Sequence, residues 1–340
     1  MKKLFAGLLA LFLLFGLCAC GNTETPEKDQ SQPTDPTDLT EPAFAPNIMQ
    51  KEDPKGDDCV NVLFVSNSTC FYFRDELYGL LTAAGYEDVT LALTYYSGCS
   101  IKKHYDWWKS GEANYQFRVY DKDGEHIYEG YSLEAALGFR NWDVISFDNN
   151  AGSFASGEIA TSLANAEPYF GELYAGIKEQ FPLSRFFWHE VWSNEIGYSL
   201  SFKMETVEQR TAVYNAKKGV AQIMADTYGL EIVPTGDAWE KVRDNQLITT
   251  PIPGIPMDKF TLCTRVQSNA LKDDFTHDGD MGGGQYLNAC VWFEIITGES
   301  CLGNTFRPKY EYAGIDCSLS EEKIALLQSA AHEAVEELNK

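Results

Sequence analysis

From Val60 onward, short apolar runs alternate with longer stretches of helical spacing. Val60, Val62, Leu63, Phe64 and Val65 form a run long enough for a buried strand and too short for a helix. Ser66, Asn67, Ser68 and Thr69 end it with small polar side chains. Phe73 to Ala84 then carries Leu77, Leu80 and Leu81 at the spacing of a helix face. Val89 to Thr94 reads as a second strand, stopping at Tyr95-Tyr96-Ser97-Gly98-Cys99-Ser100. Between Tyr115 and Tyr131 polar and aromatic residues alternate around Asp123-Gly124, a strong hairpin signal. Further strands are expected at Trp142 to Phe147, Phe186 to Trp188 and Ile232 to Pro234. Helices are expected at Phe170 to Gln180, Val207 to Tyr228, Tyr286 to Thr297 and Ile324 to Leu338. The last has Ile324, Leu327, Ala331, Val335 and Leu338 on one face, with Ser318 and Glu321 spaced as a capping box. Such alternation predicts an α/β fold of three layers, α/β/α, around a parallel sheet covered on both faces.

The first 57 residues break this rhythm. Lys2 and Lys3 precede an apolar core, Leu4 to Leu17, too short for a mature membrane helix. Leu17-Cys18-Ala19-Cys20-Gly21 looks like a bacterial lipobox. Cys20 fits the lipidated position better than Cys18, because small Ala19 precedes it; an ordinary cleaved leader is the alternative. Residues 1–20 are therefore expected to be a lipoprotein signal peptide and the protein to work outside the cytoplasm, on the cell membrane. Residues 21–57 are rich in Thr, Pro, Glu and Asp, with little to bury, and should form a disordered tether. The folded domain is expected over 58–340.

Charge narrows the partners. The chain carries a formal net charge of −23. From Gly21 to Asp58 there are ten acidic residues against three lysines, a net −7, so most of the excess belongs to the domain. An acidic domain is not expected to seek nucleic acid or anionic lipid. Seven of the nine cysteines lie beyond the leader, an odd number, and none shows paired C-x-x-C spacing. Cys301 and Cys317 bracket a loop-like stretch and could bridge, although pairing cannot be read from spacing. Neither a metal nor a cofactor is expected.

Four expected strand ends present small or polar residues: Ser68, Gly98, Asn149 or Asn150, and His189. In a parallel sheet such ends share one edge, where open α/β folds place their ligands. Capping is the simpler role for Ser66 and Ser68, taken alone. Asp274-Phe275-Thr276-His277 adds an aspartate three residues before a histidine. This spacing lets the carboxylate fold back on one ring nitrogen while the other takes a serine proton.

On these residues the chain resembles the SGNH (GDSL-type) hydrolase superfamily, in particular a bacterial branch whose first strand ends Gly-Asn-Ser. The likeness implies a flavodoxin-like sheet and a serine esterase needing no cofactor. It implies Ser68 as nucleophile, His277 as base and Asp274 as its orienter, with Gly282 the glycine that follows the histidine by five. Ser68, Gly98 and an asparagine would form the oxyanion hole, Asn150 by register with Asn149 close behind. The sequence departs from the family at Ser66, where glycine is usual, and at Asp148-Asn149-Asn150-Ala151, where Gly-x-Asn-Asp is expected. His189 and Trp192 are candidates for lining the substrate pocket. His104, His126 and His332 are expected in packing or surface roles, and Trp107 and Trp108 in packing before sugar stacking.

The expected function is an extracytoplasmic esterase that removes acetyl or other short acyl groups from carbohydrate, held at the membrane through Cys20. Two alternatives stand beside it: a catalytically silent glycan-binding lipoprotein and a surface-polysaccharide O-acyltransferase.

Overall fold

The central strand of the computed structural model, β1 (Cys59–Val65), shows why a continuous apolar run is needed there. Val60, Val62 and Phe64 face one hydrophobic core, while Leu63 and Val65 face a second on the opposite side of the sheet. A strand buried on both faces has no polar face to show. The structure describes residues 59–194, 206–249, 283–312 and 315–340. The proposed leader, tether and Cys20, and the segment holding Asp274, His277 and Gly282, lie outside them.

After β1 the order is α1 (Arg74–Ala83), β2 (Asp88–Tyr95), α2 (Ile101–Ser110), β3 (Tyr115–Asp121), β4 (Gly124–Tyr131) and α3 (Leu133–Leu137). Then come β5 (Val144–Phe147), α4 (Ile159–Ala164), α5 (Glu167–Gln180), β6 (Arg185–His189), α6 (Val207–Tyr228) and β7 (Glu231–Val233). The chain continues through α7 (Thr235–Val242), α8 (Gln246–Thr249), α9 (Gly284–Thr297), a small two-stranded pair β8 (Glu311–Tyr312) and β9 (Ile315–Asp316), and α10 (Glu321–Leu338).

The sheet runs β4-β3-β2-β1-β5-β6-β7. The five strands from β2 to β7 in that order are parallel. The expected flavodoxin-like sheet is thus present, extended at one edge by the antiparallel β3–β4 hairpin that turns at Asp123-Gly124. Helices α1, α7, α9 and α10 supply the apolar faces on one side; α2, α3, α5 and α6 supply those on the other. Strand order reverses between β1 and β5, the crevice where doubly wound sheets place ligands.

Helix α9 lies deepest. Its residues Gly284 to Glu294 are all buried, and Trp292 packs edge-on against Phe64 and stacks with Phe73. An all-round apolar helix belongs inside a layer rather than on its surface. Long α6 begins with a capping box in which Thr206 and Gln209 bond each other's backbone.

Two expectations about the C-terminal region are corrected. Helix α10 is capped by Ser320, whose Oγ accepts from the Lys323 N–H at 3.2 Å. Ser318 instead accepts from the Tyr310 N–H at 3.2 Å, because the preceding β-pair sets where the chain can turn into the helix. Cys301 and Cys317 do not bridge to each other.

Leu63 is fully buried at the centre of the sheet. Leu63→Ala should therefore lower unfolding stability by about 2–5 kcal/mol through lost transfer energy and the cavity left behind. Leu247→Ala, at a position 42% exposed, should change it by less than about 0.5 kcal/mol. Urea unfolding at constant slope checks the contrast.

Candidate active site

Strand β1 stops at Val65 because the next four residues make better bonds away from the ladder. Asn67 caps a 3-10 turn, Ser68–Cys70, its Oδ1 accepting from the Thr69 N–H at 3.2 Å. Ser68 opens that turn and is half-buried, while Asn67, Thr69 and Cys70 are buried around it. The serine is thus the residue of this turn that reaches toward solvent.

The turn is held from below by Asp148, the first residue after β5. One of its oxygens accepts from Asn67 Nδ2 at 3.2 Å, and the other accepts from the Thr69 hydroxyl. The two neighbours of Ser68 are therefore bound by the two oxygens of one carboxylate. Ser66, standing where the resembling family has glycine, is buried with its Oγ 3.3 Å from Thr69 Oγ1 and joins the same network. Asn67 Nδ2 also lies 3.4 Å from the Cys99 carbonyl, so one amide links the ends of β1, β2 and β5.

Gly98 follows β2 in the left-handed region, with φ of 62°. An L-residue held there costs about 1–2 kcal/mol, so glycine suits this turn. Asn150 caps a second 3-10 turn, Ala151–Phe154, its Oδ1 accepting from the Ser153 N–H at 3.1 Å. Its Nδ2 donates to the Gly98 carbonyl at 2.8 Å. An amide has two N–H bonds, so this contact leaves Asn150 one donor and places it beside Gly98. Asn149 is buried, its Oδ1 accepting from the backbone N–H groups of Ile101 and Asn150 at 3.2 and 3.0 Å. Its Nδ2 is buried with no partner among the described residues.

His189 ends β6 and is buried beneath the same edge. Its Nε2 lies 2.8 Å from Thr235 Oγ1, whose hydroxyl donates to the Glu190 carbonyl at 2.8 Å. A hydroxyl has one proton to give, so Thr235 accepts from His189, and the ring carries its proton on Nε2. Nδ1 then accepts from the Cys70 thiol at 3.4 Å. Burial lowers the imidazole pKa to about 3, so this histidine stays neutral near pH 7. Burial also pushes the Asp148 carboxyl up to about 7, although the Thr69 and Ser66 hydroxyls pull the other way. The Cys70 thiol is pushed well up by burial and by the nearby Asp148 charge.

The structure therefore brings Ser68, Gly98 and Asn150 to one edge and places His189 and Trp192 under it. Trp192 stacks on Trp239 with ring centroids 4.5 Å apart and, like His189, is almost wholly buried. The other described histidines are bound to their own neighbours: His104 to Tyr115 at 2.8 Å, His126 to Asp121 at 3.3 Å and His332 to Glu294 at 3.1 Å. Trp108 fills the space over Gly176 between α2 and α5, and Trp107 packs on Tyr115 and Tyr96. The residues that sequence reasoning missed are Asn67 and Asp148. Their signal was present, since a charged residue ending a buried strand must find partners, but which partners depends on the register of β1 against β5.

A family model described as Domain of unknown function (DUF4886) matches residues 62–334. No curated protein matches the chain. Among solved structures, a DUF4886 family protein from Bacteroides uniformis is 23% identical, covering 83% of this chain and 97% of its own, with a TM-score of 0.60. At that identity the likeness speaks for the fold. Structures described as SGNH and GDSL hydrolases stand further off. The lipase/acylhydrolase from Enterococcus faecalis is 14% identical over 70% of this chain and 96% of its own, with a TM-score of 0.40.

Removing the Asn67 amide strands Asp148 Oδ1 and the Cys99 carbonyl in a buried setting. Asn67→Ala should cost about 1–3 kcal/mol of unfolding stability, the usual cost of an unmet buried polar group. A urea midpoint unchanged from wild type would show that this amide does not link the three strand ends.

Proposed function

The chain belongs to the DUF4886 family, and with that as premise we propose that it is an extracytoplasmic serine esterase acting on short acyl groups of carbohydrate. One observation carries this reading: the Ser68 turn, Gly98 and Asn150 meet at the carboxyl edge of the sheet, beside the reversal of strand order. The motif resemblance supplies the rest. Ser68 Oγ attacks the ester carbonyl and passes its proton to His277, which Asp274 orients. The carbonyl oxygen gains charge as the new bond forms. The Ser68 and Gly98 N–H groups and the remaining Asn150 N–H are the donors proposed to stabilise it, with Asn149 the second choice. His277 then returns the proton to the leaving alcohol. A water molecule, deprotonated by the same histidine, releases the acid from the acyl-enzyme and regenerates Ser68.

Carbohydrate is the favoured substrate on two grounds. A tethered enzyme outside the cell meets polymers. Tyr96, 38% exposed two residues before Gly98, also brings an aromatic ring to this edge, edge-to-face with Trp107 at 4.8 Å and with Lys103 Nζ 4.4 Å over it.

A fluorophosphonate probe on the purified protein tests the site. Ser68→Ala should abolish labelling and acetyl-ester hydrolysis together. Asn150→Ala should retain labelling and lose about 10²–10³-fold in turnover, the cost of one oxyanion donor. The loss falling on Asn149→Ala instead would move the donor by one residue. Absence of labelling in the wild type would favour a silent glycan binder.

The anchor is tested separately. Cys20→Ser should release the protein from the membrane fraction or block its processing, and Cys18→Ser should not. Unchanged partitioning of the Cys20 variant would remove lipidation from the proposal.

A further inference from the structure

Beneath the Ser68 turn, three side chains able to bind a metal converge from positions 41 to 119 residues apart in sequence. Cys70 Sγ lies 3.4 Å from His189 Nδ1, and His189 Nδ1 lies 4.0 Å from Asp148 Oδ2. All three ligand atoms fall within 4.8 Å of one another. Cys70 and Asp148 are fully buried, and the His189 side chain has no exposure. From this juxtaposition we propose that Cys70, Asp148 and His189 are the three protein ligands of a site for a zinc-class divalent cation, clamping the turn that presents Ser68. The site lies beyond the esterase reading and stands whether or not Ser68 is a nucleophile.

Geometry supports the assignment first. Tetrahedral zinc, with bonds of about 2.3 Å to sulfur and about 2.0–2.1 Å to nitrogen or oxygen, sets neighbouring ligand atoms roughly 3.3–3.6 Å apart. The sulfur–nitrogen separation is already in that range. The carboxylate has to close from 4.0 Å by about 0.7 Å, within reach of a small side-chain rotation.

The surroundings are those of a prepared ligand set. Metal-binding imidazoles usually donate their second N–H to a fixed acceptor, which sets the tautomer and aims the free nitrogen. Thr235 Oγ1 is that acceptor, fixed in turn by the Glu190 carbonyl, so the lone pair of Nδ1 points at Cys70 and Asp148. Asp148 is held from behind by Asn67 Nδ2 on its other oxygen. Its Oδ2 also accepts from the Thr69 hydroxyl, which leaves a second lone pair on that oxygen for a cation.

Charge and donor type select the ion. Thiolate plus carboxylate carry two negative charges, and a divalent cation makes the buried set neutral. On binding, the Cys70 S–H proton is lost to solvent as the sulfur–metal bond forms. One soft sulfur, one imidazole and one carboxylate suit zinc, whereas magnesium and calcium prefer oxygen alone. The site joins the ends of β1, β5 and β6, and two of its side chains flank or support Ser68 through Cys70 and the Asp148–Thr69 bond. The ion would therefore fix the turn without touching the serine.

The test uses the full chain without a histidine tag, refolded from denaturant with zinc or cobalt so that burial does not block entry. Wild type should retain one metal per chain after dialysis, and its cobalt form should show a sulfur-to-metal charge-transfer band in the near ultraviolet. X-ray absorption at the zinc edge should find one sulfur among nitrogen and oxygen neighbours. Cys70→Ser and His189→Gln should each weaken binding at least about 100-fold, while Cys99→Ser should keep it. A refolded wild type holding no stoichiometric metal overturns the site, as does a zinc shell without sulfur. Retention of full affinity in both folded Cys70→Ser and His189→Gln overturns it too. The wild-type absorption spectrum decides the matter if either variant fails to fold.

Discussion

The edge of this sheet depends on one buried carboxylate. Asp148 accepts hydrogen bonds from the side chains on both sides of Ser68, and the Asn67 amide that it holds also reaches the loop after β2. A carboxylate out of water is costly unless several donors meet it, so the loops that supply those donors have little freedom to move elsewhere. The cost of burial is thereby converted into position. The turn carrying Ser68, the Gly98 loop and the end of β5 are set relative to one another by the needs of a residue that need not touch substrate.

The departure of the third sequence block from Gly-x-Asn-Asp has a physical explanation in the same contact. In the Asn150 register aspartate stands at position 148 where the resembling motif expects glycine, and serine stands at position 66 where glycine is usual. The two changes belong together: the Ser66 and Thr69 hydroxyls bind each other and face the Asp148 carboxylate. What looks in the linear chain like two separate losses of a motif is one polar network across two strand ends. Asn150 meanwhile keeps its place by Gly98 through a bond that uses only one of its two amide hydrogens.

The layer beneath the site explains why His189 and Trp192 sit where they do. A histidine ending a buried strand has both nitrogens to satisfy, and Thr235 and Cys70 satisfy them. Trp192 finds its partner in Trp239 on α7, whose indole N–H donates to Asn288 of α9 at 2.7 Å. These contacts join the second half of the sheet to the deepest helix and so support the edge from beneath.

Much of the architecture was legible in the sequence because it follows from short-range pattern. The apolar runs at β1, β2 and β5, the Asp123-Gly124 hairpin and the bounds of α6 over Val207–Tyr228 all follow from periodicity and turn chemistry, which need only near neighbours. The candidate residues Ser68, Gly98 and Asn150 could likewise be placed at strand ends, and the parallel sheet required those ends to share an edge. What the tertiary structure alone decided was the pairing of side chains across that edge. Asn67 with Asp148, Thr235 with His189, and Cys70 with His189 are separated by 81, 46 and 119 positions. No periodicity links residues that far apart. Their meeting is set by strand order and by the register of β5 and β6 beside β1, and those depend on how whole layers pack to keep apolar faces from water.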